Sequence, residues 1–185
     1  MDLEKVIEKV ENEGTFLSKP YLNTAMLIAI QKHSAKLAYD LACVLEKQTD
    51  RKKMEKVVLE AKNPEYSYMF ARDIAGADIK KHQEVVVESN DVEQAVNYAS
   101  DIPGADVKTL EQIVLASENA KCLYEFAMSV ENADIKALGK ELVKTKDVDY
   151  IKKFEDNVEN ADMNLLRLAR GRITKMKKKE PNFEL

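Results

Sequence analysis

Gly76-Ala77-Asp78-Ile79, Gly104-Ala105-Asp106-Val107, Asn132-Ala133-Asp134-Ile135 and Asn160-Ala161-Asp162-Met163 are four versions of one phrase, spaced 28 residues apart without slippage. A fixed period of this length marks a repeat architecture in which each period is one supersecondary unit. Within a unit the Asp is read as the N-cap of a first helix, because its short carboxylate can accept from unpaired backbone N–H groups. Asp50, Asp78, Asp106, Asp134 and Asp162 hold this place. Apolar residues follow at helical spacing: Ile79, Val85 and Val86 in one copy, Val107, Leu110, Ile113 and Val114 in the next.

A small residue closes the first helix (Ala61, Ser89, Ser117, Thr145), and a second cap follows it (Asn63, Asp91, Asn119, Asp147). The second helix is expected to bury Phe70, Tyr98, Phe126 or Phe154, with Ile74, Ile102, Val130 or Val158 four residues on. It should stop at Gly76, Gly104, Asn132 or Asn160, the two residue types that best tolerate left-handed backbone. The unit is therefore a hairpin of two helices, each about 11 or 12 residues long. One hairpin cannot hide both apolar faces, but stacked hairpins can. The fold class expected is all-α, an α-solenoid of about six stacked helical hairpins.

Outward from the four full repeats, 50–161, the pattern degrades. Leu3, Val6, Ile7 and Val10 share one face of an N-terminal helix that Glu13-Gly14-Thr15 ends, and this helix is read as a cap. Ser18-Lys19-Pro20 reads as a turn, and Asn23 as the cap of a helix from Thr24 to Lys32. Met26, Leu27, Ile28 and Ile30 make that helix apolar almost all round, so burial between neighbours is expected. The next helix, about 34–47, carries Leu41-Ala42 and Leu45 in the places of Phe70-Ala71 and Ile74, one residue out of register. Residues 1–49 are thus a cap and a degenerate first repeat. Residues 162–180 are one basic C-terminal capping helix that Gly171 weakens without ending, before a frayed tail. Ala71, Ala99 and Ala127 would allow close helix approach; Glu155 takes their place in the last full copy and reads as adaptation to solvent. No composition break divides the chain, so a single domain is expected.

Composition bounds the function. With 45% apolar and 34% charged residues, the chain fits a soluble helical protein, and no run approaches the roughly 18 apolar residues of a membrane helix. The N-terminus does not resemble a secretory signal, and Cys43 and Cys122 read as small core residues in a reducing, cytoplasmic setting. The net charge of −4 is uneven: +5 from Arg167 onward and −9 before it. An acidic body repels nucleic-acid backbones, whereas a basic end attracts them.

Catalytic, cofactor and metal motifs are not found, and no enzyme activity is expected. His82 stands where other copies have Met54, Leu110 and Leu138, and should pack at a core edge; His33 reads as a turn or capping residue. Lys52, Lys80, Lys108 and Lys136 form a series two residues after each cap, either a solvated face or a contact for phosphate or an acidic partner. Positions that vary between copies are where specificity can reside. The pairs Tyr68/Arg72, Val96/Ser100, Tyr124/Met128 and Lys152/Asp156 occupy matching places away from the Phe70-type core residue. They read either as inter-repeat core or as a binding face, with Tyr66, Met69 and Tyr150 at its border. Arg167, Arg170, Arg172 and Lys175, with Lys177, Lys178 and Lys179, are a solubilising end or a nucleic-acid contact.

The stretch Tyr66-Ser67-Tyr68-Met69-Phe70-Ala71-Arg72-Asp73-Ile74-Ala75-Gly76-Ala77-Asp78-Ile79, with 119–133, resembles a loose family of short HEAT-like helical-repeat proteins of Gram-positive bacteria and their phages. The resemblance covers roughly 50–170. It implies the solenoid but no activity, since such repeats are reused for many partners. By analogy with small acidic phage proteins, it points to a phage-type inhibitor of a bacterial defence nuclease, such as an anti-CRISPR acting on an RNA-guided enzyme. The expected partner is a protein, met through Tyr68, Arg72, Tyr124 and Met128. The alternative is nucleic acid, met through Lys52, Lys80, Lys108, Lys136, Arg167, Arg170, Arg172 and Lys175. Self-association is a further expectation, because an incompletely capped solenoid end is sticky.

Overall fold

In a computed structural model of the protein, residues 2–13 and 16–177 are described. Gly14, Thr15, Lys178, Lys179 and the tail lie outside them. The described residues form twelve helices and no strand: α1 (Leu3–Glu13), α2 (Lys19–Lys32), α3 (Ala35–Val44), α4 (Gln48–Glu60), α5 (Pro64–Asp73), α6 (Ile79–Ser89), α7 (Val92–Asp101), α8 (Val107–Ala116), α9 (Ala120–Ser129), α10 (Ile135–Thr145), α11 (Val148–Asn157) and α12 (Met163–Lys177). Two compact units are distinguished, one of 1–94 with 101–105, the other of 95–100 with 106–185. In the first, each helix packs on the next from α2 to α6, and α1 on α3, α2 on α4, α3 on α5 and α4 on α6. In the second, neighbours pack from α8 to α12, and α8 packs on α10, α9 on α11 and α10 on α12.

The repeating signals produce repeating geometry. The side chains of Asp78, Asp106, Asp134 and Asp162 accept from the backbone N–H three residues on, at 3.3, 3.3, 2.9 and 3.1 Å. Asn63, Asp91, Asn119 and Asp147 do the same for the second helices. Between the two helices the Ser89 hydroxyl donates to the Val86 carbonyl (2.7 Å) and accepts from the Asp91 N–H (3.1 Å). Ser117 and Thr145 repeat this bridge. The small closing residue is therefore a two-way clamp between an orphan carbonyl and the next cap. The residue inside the clamp is left-handed: Asn90, Glu118 and Lys146 have φ of 52°, 52° and 58°.

Four local expectations change. Asp50 is not a cap: α4 begins at Gln48, so Asp50 lies in its first turn and pairs with Lys53. The second helices have ten residues, because Ile74, Val130 and Val158 leave the helix into extended backbone while their side chains stay buried. Gly76 and Gly104 then sit at the third position of turns closed by Ala77 N–H to Ile74 O and Ala105 N–H to Ile102 O, both 3.1 Å. Their φ of 79° and 84° is what a type II turn requires there, and Pro103 suits the position before. Ser18-Lys19-Pro20 is a helix start rather than a turn, since proline is at home in the first turn of a helix. Finally, α2 is not buried all round: Leu27 and Ile30 are exposed, because α2 packs on α3 and α4 along one side.

Phe70, Tyr98, Phe126 and Phe154 are all buried, as their spacing predicts. Two buried carboxylates were not legible as such. Glu55 Oε1 accepts the Asp78 N–H at 2.5 Å and Glu111 Oε1 accepts the Asp134 N–H at 2.6 Å, each 23 residues back in the chain. They tie the first helix of one repeat to the start of the next. Gln83 occupies the same place between them, also buried. Removing the Glu111 side chain would leave the part-buried Asp134 N–H without its charged partner, at a cost of about 1 kcal/mol. Glu111→Ala should lower stability by that amount in urea unfolding and Glu111→Gln by clearly less; equal losses would refute the bond.

Candidate functional site

Tyr68 and Arg72 lie on α5, one helical turn apart. Tyr68 is buried, and its hydroxyl donates to Asp101 and accepts from Arg72 Nη1 at 3.0 Å. The Arg72 guanidinium stands 5.0 Å from the Tyr68 ring centroid. It also holds both oxygens of Asp73, at 2.8 Å each. Asp73 in turn accepts from the Tyr39 hydroxyl at 2.7 Å. The guanidinium of Arg72 holds the Asp73 carboxyl below its ordinary pKa, while burial and then Asp101 push the Tyr68 phenol up. This group is a closed chain of charge-assisted bonds along α3, α5 and the end of α7. Arg72 is exposed, but each of its three side-chain nitrogens already donates one bond.

Tyr124 and Met128 have a different setting. Together with Lys121, Glu125 and Ser129 of α9 and Val96, Asn97 and Ser100 of α7, they line an open groove of about 500 Å³. Met128 is 48% exposed and Tyr124 is half-buried, its ring 6.0 Å from that of Tyr150. Lys153 Nζ caps the Tyr150 ring at 4.3 Å. Of the two matching columns, Arg72, Ser100, Met128 and Asp156 are exposed in every copy. Tyr68 and Val96 are buried, Tyr124 is half-buried and Lys152 is exposed.

Lys52, Lys80, Lys108 and Lys136 are all exposed. Lys52 is engaged, donating to Glu55 (2.7 Å) and to the Gly76 carbonyl (2.8 Å). Arg167, Arg172 and Lys175 of α12 are exposed without an ion pair among the described residues. Arg170 is held by Glu155 through two bonds of 3.0 Å. Glu155 is thus buried and paired, not turned to solvent, because Arg170 reaches it from α12. The pair predicts an asymmetry. Arg170→Leu strands a buried carboxylate and should cost about 3 kcal/mol, whereas Glu155→Ala leaves an arginine that solvent can reach and should cost clearly less. Similar losses in thermal unfolding would contradict it.

His82 lies in the core rather than at its edge, fully buried and stacked on Phe70 with centroids 5.1 Å apart. Neither ring nitrogen is hydrogen-bonded, and Glu55 Oε1 stands 3.5 Å from Nε2. Burial pulls its pKa down to about 4, against the opposing pull of Glu55 and Asp78. Cys122 is buried, but Cys43 is exposed because its position on α3 faces outward. Among the described residues no three His, Cys, Asp or Glu could hold a metal ion, and no helix is long and apolar enough to cross a membrane. The cap aspartates each serve their own helix.

His82 sets a pH dependence. The unfolded chain binds the proton near pH 6.5 and the folded one near 4, so between these values the unfolded state holds more protons and stability falls as pH falls. His82→Leu, the residue of two other copies, should flatten that loss by up to about 1.4 kcal/mol per pH unit between pH 6.5 and 4. Parallel curves for the two proteins in chemical unfolding would contradict a neutral, buried imidazole.

Comparison of the chain with protein-family models, with curated proteins and with solved structures finds no match.

Proposed function

We propose that this chain is a non-catalytic, cytoplasmic protein-interaction module whose helical hairpins stack into one HEAT-like solenoid. The observation that carries the reading is the α7–α9 groove, where Tyr124 and Met128 stand partly open to solvent beside polar groups. Tyrosine and methionine are residue types enriched at interface centres, and the Met128 column is exposed in every repeat. Packing of each helix on its next-but-one neighbour within either unit supports the stack. In its specific form, the module is a phage-type inhibitor of a bacterial defence nuclease, such as an RNA-guided one. Its acidic body competes for a basic nucleic-acid channel. The Tyr68–Arg72 cluster is closed on itself and leaves little for a partner.

The test is titration of the protein into cleavage reactions of RNA-guided nucleases from Gram-positive bacteria, beside Tyr124→Ala and Met128→Ala. Cleavage should fall with the native protein. The variants should bind roughly 30-fold more weakly, corresponding to about 2 kcal/mol for an interface anchor, with unchanged helical circular dichroism. Unchanged affinity in both variants would remove the groove from consideration.

The exposed, unpaired Arg167, Arg172 and Lys175 favour a second reading, nucleic-acid binding through α12 and the lysines Lys80, Lys108 and Lys136. It requires a steep fall of DNA or RNA affinity with salt and a further fall in Arg167→Ala/Arg172→Ala. A flat salt response would dismiss it.

A further inference from the structure

The outward face of α12 is basic and apolar at once. Leu168, Arg172, Lys175 and Met176 fall at helical spacing on one side, and all four are exposed, Leu168 at 63% and Met176 at 60%. The helix carries five bases and no acid. The outward face of α1 is its complement. That helix carries four glutamates against two lysines, with Glu4, Glu8 and Glu11 on one line and half-buried Leu3 and Ile7 beside it. Glu11 pairs with Lys36 and Glu13 with Lys9, but Glu4 and Glu8 are exposed and make no ion pair among the described residues. We propose that α12 of one copy docks on α1 of a second copy, Arg172 and Lys175 meeting Glu4 and Glu8 while Leu168 and Met176 cover Leu3 and Ile7.

Two other surfaces fit less well. The exposed Leu27 and Ile30 stand on α2, which carries Lys19 and Lys32 and no acid, so a basic helix is repelled there. A phosphate backbone would satisfy the arginines but gives no role to a leucine and a methionine left in water between them. The contact is heterologous: it joins two different faces, so each copy offers one of each. It uses none of the residues that line the α7–α9 groove, and Tyr124→Ala should leave it unchanged.

Sedimentation of the full chain tests this. At about 50 mM salt the mean mass should rise with protein concentration, and about 500 mM salt should weaken association about ten-fold, since the pairs are exposed. Arg172→Glu/Lys175→Glu and Glu4→Lys/Glu8→Lys should each be monomeric alone. Mixed, they should form complexes, and a chain carrying all four changes should associate again. Leu168→Gln, which leaves the charges intact, should also weaken association. A native chain monomeric at all concentrations would overturn the proposal. So would a dimer indifferent to both reversals, one lost on Leu27→Glu but kept in the α12 variant, or a mass increase that appears only with added RNA or DNA.

Discussion

A helix of ten or eleven residues does not persist alone in water, because nucleation is costly and too few bonds follow it. Every helix from α5 to α11 is of that length. Each therefore exists only while its apolar stripe is covered, and within each unit neighbours and next-but-one neighbours supply that cover. The buried ring of each second helix anchors that contact, and the turn chemistry aims it. Two left-handed positions per repeat and a hydroxyl clamp recur at matching places, so the turns between helices repeat as their residues do.

Polar groups in the interior follow from the same need. A helix that begins under its neighbour has a cap residue whose own N–H must find a partner. Glu55 and Glu111 supply one from the preceding repeat, and in doing so they fix the axial register of successive hairpins. In the last full copy the position is Gly139, and the Phe154 ring lies 3.6 Å from where a side chain would begin. That copy instead buries Glu155, neutralised by Arg170. His82 and Ser67 are exceptions among the buried polar groups: neither makes a side-chain hydrogen bond, and the desolvated imidazole is kept neutral by its surroundings.

The surface divides into polar groups already satisfied and groups that are not. Tyr39, Asp73, Arg72, Tyr68 and Asp101 bind one another, which adds rigidity but leaves little for a ligand. The exposed Met128, the Leu168, Arg172, Lys175 and Met176 side of α12, and Glu4 and Glu8 of α1 make no such bonds among the described residues. These are the places where binding a partner would add interactions rather than exchange existing ones.

The 28-residue period, the eight caps from Asn63 to Asp162, the buried aromatic column and the left-handed turns at Gly76, Gly104, Asn132 and Asn160 were readable in the chain, because each depends on residues within one hairpin. Helix ends were misplaced by two residues at Ile74, three at Asp50 and five at Ser18, where packing chooses between locally similar conformations. The destination of a side chain was hidden wherever its partner is remote in sequence. Tyr68 and Tyr124 hold equivalent positions, yet one is closed by Asp101 and the other opens onto a groove. Glu155 reads as a surface residue until Arg170 reaches it, and Leu27 reads as core until α2 is seen to be covered on one side only. Local propensity and periodicity write the hairpin; burial and pairing are properties of which hairpin faces come together, and those the tertiary structure alone decides.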